Sequence, residues 1–167
     1  MNNINISTTV KAFKELLVID NDLNLLDKLQ HLDDIQAHFE LNDFKTALEL
    51  EKSLSFSFYK SEDKAEKEFK YILKNQILNA HIRYLEKEII EFNVMALSLL
   101  PTNVRTQGIF TEDKLIKDLD YLSLVITRIS NDHFALKDAI IHLFDLSIKR
   151  TKEIKSLKKD LAEVQHD

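Results

Sequence analysis

With 167 residues, a net charge of -5, one Gly, one Pro and no Cys, the chain excludes disulfide staples, thiolate metal sites and a cysteine nucleophile. So few turn-forming residues also exclude folds that reverse direction often, and the length suits one domain burying about 70% of its unfolded surface. Residues 1–60 carry 6 Lys/Arg against 10 Asp/Glu and residues 147–167 carry 6 against 4, an acidic body that disfavours nucleic acid as a partner.

Met1–Ile6 has neither the basic start nor the apolar core of a secretory signal, and no window approaches eighteen consecutive apolar residues. The expectation is a cytoplasmic protein with no membrane contact. Residues 7–19 open with Ser7, Thr8 and Thr9 as candidate N-caps and continue with Val10, Phe13 and Leu16 or Leu17 at helical spacing. The run Leu16-Leu17-Val18-Ile19-Asp20-Asn21-Asp22 resembles the first strand and acidic pocket of response-regulator receiver domains. Nothing downstream supplies the other strands of that α/β fold, so a helix break capped by Asp20 or Asn21 is the reading adopted.

From Leu23 to Leu41, Leu25, Leu29, Leu32 and Phe39 share a face, with Asp33 and Asp34 in solvent. Asn42-Asp43-Phe44-Lys45-Thr46-Ala47-Leu48 is similar to the turn and second-helix start of a tetratricopeptide repeat. At the period of that family, Phe44 and Ala47 map to Leu78 and His81, so there is no second copy. Ser55-Phe56-Ser57-Phe58-Tyr59 alternates as a strand would but has no partner, and is read as a helix end or bend. Ser61-Glu62-Asp63 then caps a long helix whose apolar line is Leu78, Ile82, Leu85, Ile89, Phe92, Ala96, Leu99. Pro101 ends it, and residues 101–111, which hold that Pro and Gly108, form the loop of an antiparallel hairpin.

The second arm of the hairpin starts near Thr111. Its seam runs through Leu115, Leu119, Leu122, Ile126, Ile129, His133, Leu136, Ile140, Leu143, Ser147, Arg150, Ile154, Leu157, Leu161 and Val164, alternately four and three apart over seven heptads. A helix covering 112–165 would be about 80 Å long, so a bend is expected, with Ser130-Asn131-Asp132 the natural place. Up to Ile148 further apolar residues widen the stripe. Beyond it, Ile154, Leu157, Leu161 and Val164 stand alone among charges, the pattern of a coiled-coil seam. With Leu115 at position d, Ile at a and Leu at d favour a parallel pair, in which Glu153 at g faces Lys158 at e of a second copy.

These patterns predict an all-α protein: a bundle of about five helices built on a long antiparallel hairpin, residues 1–148 as the bundle domain and 149–167 as a helical extension. The expected interface is Ile154, Leu157, Leu161, Val164, Glu153 and Lys158. No cofactor or metal is expected. The Glu163–His166 pair is a lone metal-type motif on the last residues, and Asp34 with His38, or Asp138 with His142 and Asp145, are the remaining acid–His neighbours. The expected function is a non-enzymatic protein-protein interaction protein (adaptor, inhibitor or assembly component) that self-associates. The alternative rests on Arg128-Ile129-Ser130-Asn131-Asp132-His133, which resembles the Arg-x4-6-His motif of HEPN-type ribonucleases. That resemblance implies metal-independent RNA cleavage, with Arg128 stabilising phosphate charge and His133 moving the proton. Ile129 departs from it, since a polar residue usually follows the Arg.

Overall fold

A computed structural model describes residues 5–19, 24–57, 64–99 and 134–164. They form five helices: α1 (Ile6–Ile19), α2 (Leu25–Glu40), α3 (Phe44–Ser57), α4 (Lys64–Leu99) and α5 (Phe134–Val164). The protein is all-α, a helical bundle, with no strand among the described residues.

Each helix follows from its pattern and its ends. In α1, Val10, Phe13 and Leu17 are buried as their spacing requires, but the cap lies earlier than Ser7–Thr9. The Asn5 carbonyl accepts from Thr8 and Thr9 N–H, and its side-chain Oδ1 accepts from Ser7 N–H at 3.3 Å. Thr9 is instead part of the buried face. Leu16–Ile19, the strand-like half of the receiver resemblance, is helical, while Asp20–Asp22 lie outside the described residues.

Between α2 and α3 the chain turns in a Schellman motif. Asp43 N–H donates to His38 O (2.9 Å) and Asn42 N–H to Phe39 O (3.0 Å), with Asn42 in the left-handed region at φ 61°. Asn tolerates that conformation better than most residues with a Cβ. Asp43 also starts α3: its carbonyl accepts from Ala47 N–H and its carboxylate from Thr46 N–H. Its side chain meets His38 Nδ1 at 3.0 Å, so a polar contact joins the two positions that an apolar contact often joins in this motif.

The strand-like run does not break α3, which continues through Ser57; Phe58 and Tyr59 lie outside the described residues. So do the Ser61–Asp63 cap, the 101–111 loop with Pro101 and Gly108, and the Ser130–Asp132 bend.

Contacts divide the chain into two units, Met1–Ile82 with Lys158–Asp167, and Arg83–Leu157. In the first unit the core is apolar and partly aromatic, with Val10, Phe13, Leu17, Leu32, Ile35, Ala47, Leu54, Leu73 and Ile77 all buried. Phe13 stacks on Phe69 (5.4 Å between centroids), Phe39 meets Phe44 edge-on (5.3 Å), and Phe44 stacks on the buried His81 (5.4 Å). Lys14 and Asp33 tie α1 to α2 at the surface.

In the second unit α4 packs on α5. Ser147 Oγ donates to Asn93 Oδ1 at 2.9 Å, and Arg150 Nε lies 2.8 Å from Glu88 Oε2. Three residues forward in α5 thus correspond to five backward in α4, so the two helices run antiparallel there. The apolar line of α4 is buried as its spacing requires at Ile89, Leu85 and Ala96, with Phe92 half-buried.

Candidate interaction surface

Two features of α4 and α5 bear on what the protein touches. The first is a polar layer inside the pair. Asn93 is 1% exposed and Ser147 3%. Beside them the Arg150 guanidinium lies between two carboxylates, with Nη1 donating to Glu153 Oε2 at 3.1 Å and Nε beside Glu88 Oε2. Among the described residues neither Arg150 Nε nor Glu88 Oε2 has a hydrogen-bond partner, so that contact is ionic rather than directed. Asn93 Nδ2 is also buried without a partner. Thr151 Oγ1 donates to the Ser147 carbonyl at 2.8 Å.

Asn93 escaped the sequence pattern because the heptad step lands on Phe92. The buried stripe of α4 instead goes from Leu85 to Ile89 to Asn93, two steps of four, as a straight helix of 3.6 residues per turn drifts away from a strict heptad. Ser147 and Arg150 were visible as polar breaks in the α5 seam; what they face was not.

The expected interface residues lie where a single chain already covers most of them. Ile154, Leu157 and Val164 are 7, 8 and 8% exposed, and Leu161 and Glu153 are half-buried. Only Lys158 is open to solvent.

The second feature is the opposite side of α4. Tyr84, Ile90, Val94 and Met95 are exposed, the last three at 42, 45 and 54%. At about 100° per residue they centre roughly half a turn away from the Leu85–Ile89–Asn93 stripe, so α4 is apolar on two sides. Lys87 and Glu91, paired at 3.6 Å, stand among them.

Arg128 and His133 of the ribonuclease resemblance lie outside the described residues, as does His166. Among the described residues no group of acids and histidines is arranged to hold a metal ion. Asp34 and His38 are drawn apart by other partners, Gln30 Nε2 at 2.9 Å and Asp43 at 3.0 Å. Asp138, His142 and Asp145 are exposed. In the first unit a cavity of about 470 Å³ is lined by Asp27, Lys28, His31, Asp34 and Leu54 among others. Its two acids and its basic groups do not converge on a ligand of one charge.

Of the basic tail, Arg150 serves α4, Lys159 pairs with Glu163 at 3.7 Å, and Lys149, Lys152 and Lys155 are exposed. No described helix is long and apolar enough to cross a membrane. No protein family, curated protein or solved structure matches this chain.

Proposed function

We propose that this is a non-enzymatic protein-protein interaction protein, an adaptor, inhibitor or assembly component, that self-associates through the outer side of α4. The observation that carries the reading is the exposed set Ile90, Val94 and Met95. Apolar side chains exposed on one side of a helix, here with Lys87 and Glu91 interleaved, are what a partner helix buries. Ile90 and Val94 sit one turn apart on one stripe, and Met95, about 100° round the helix from Val94, is flexible enough to fit a partner of irregular shape. The Lys87–Glu91 pair within the strip costs little to move aside, because it is exposed.

The test is light scattering of the full-length chain over a range of concentrations, beside the variant Val94→Glu with Met95→Glu. The expected result is a mass that rises with concentration in the natural chain and stays at one protomer in the variant. A natural chain that remains a single protomer throughout removes the self-association. Equal masses for the two chains above one protomer remove this surface. The ribonuclease alternative makes a separate statement, RNA cleavage lost in Arg128→Ala and His133→Ala.

A further inference from the structure

We propose that the polar layer of Asn93, Ser147, Glu88, Arg150 and Glu153 is an orientation lock. It commits α5 to antiparallel pairing with α4 of its own chain and turns it away from parallel pairing with α5 of a second copy. The apolar seam does not make that choice: Ile140, Ile154 and Leu157 are buried within the single chain, yet their Ile-at-a, Leu-at-d pattern favours a second α5.

The polar positions do discriminate. Within the chain, Arg150 sits between Glu88 and Glu153, and Ser147 donates to Asn93. In a parallel pair of α5 helices, Arg150 at d faces Arg150 of the other copy; Glu153 stays beside it on the same helix, but Glu88 is gone, and Ser147 at a meets only another Ser147 hydroxyl in place of Asn93. The layer is not arranged for maximal stability. Asn93 Nδ2 is buried without a partner, a deficit that a pair of apolar side chains at 93 and 147 would not have. What the polar groups supply is direction. The lock concerns the inner face of α4, and therefore goes beyond the self-association proposed for its outer face.

The chain has no Cys, so Leu157→Cys places one thiol at a d position, opposite its own copy only in a parallel α5 pair. The full-length protein is oxidised and intermolecular disulfide is measured. With Leu157→Cys alone, little cross-linked product is expected; adding Ser147→Ile and Arg150→Leu raises it at least about ten-fold, as removal of a like-charge penalty predicts. The charge exchange Glu88→Arg with Arg150→Glu, made together with Glu153→Gln because Glu153 lies beside position 150 on the same helix, keeps opposite charges at 88 and 150 within the chain and like charges between copies, and holds cross-linking at the Leu157→Cys level. Abundant cross-linking by Leu157→Cys alone overturns the proposal. So does the absence of a rise with Ser147→Ile and Arg150→Leu, or a comparable rise in the charge-exchanged chain.

Discussion

The two units solve the same problem with different chemistry. In the first, α1, α2, α3 and the start of α4 bury an apolar core with two aromatic pairs, Phe13–Phe69 and Phe39–Phe44, and with it the polar Thr9, Lys28, Glu51 and His81. In the second, the α4–α5 pair buries Asn93 and Ser147 with Arg150 and Glu88 beside them. Apolar contacts scale with area and tolerate many arrangements of similar volume. A hydrogen bond or ion pair exists only when two particular groups meet. The comparison teaches that aromatic pairs join helices of the first unit, whereas a buried hydrogen bond and an ion pair join α4 to α5 in the second.

The largest test of that division is Phe13→Ala. Phe13 is fully buried and stacked on Phe69, so its loss should destabilise the chain by about 3–5 kcal/mol in denaturant unfolding. A much smaller loss would mean that the first unit's core is not the source of stability.

A middle-sized effect is expected at Arg150, whose side chain is 27% exposed. Arg150→Ala leaves Glu88 and Glu153 facing an emptied site and should cost about 1–2 kcal/mol, whereas Arg150→Met keeps the packing and should cost less. If Met is no better than Ala in the same unfolding measurement, the contribution of Arg150 is charge alone.

The smallest effect is at the α2–α3 turn. Hydrogen bonds from Thr46, side chain first, hold the Asp43 carboxyl below its ordinary value, with His38 acting in the same direction against the desolvation that opposes them. A lowered folded-state pKa means that the stability it contributes is complete above the unfolded value. It is lost as pH falls through the lower folded one. Melting temperature measured from about pH 5 down to about pH 2 should therefore fall more in the natural chain than in Asp43→Asn. Parallel curves would remove the turn from the acid response.

Much of the architecture was legible in the residues, and the failures have particular causes. The spacing of Val10, Phe13 and Leu17 located the buried face of α1, yet its cap was misplaced because Ser7, Thr8 and Thr9 resemble caps wherever they stand. The Ser55–Ser57 alternation, read as a helix end for want of a partner strand, lies in the last turn of α3, as that reading requires. Asn93 was missed because a polar residue next to Phe92 leaves no apolar signal. The exposed Ile90, Val94 and Met95 looked like ordinary helix content, since only a packed structure shows which apolar side lacks cover.

The sequence by itself determined that the chain is helical and which faces need burial: Leu85, Ile89 and Ala96 on α4, Ile140, Ile154 and Leu157 on α5. Periodicity carries that information because it is a property of one helix. It says nothing of the partner, because an apolar stripe is satisfied by any other of matching width. Tertiary structure decided that the α5 seam, suited by pattern to a second copy, meets α4 of its own chain. Ser147 and Arg150 find their complements there, in Asn93 and Glu88.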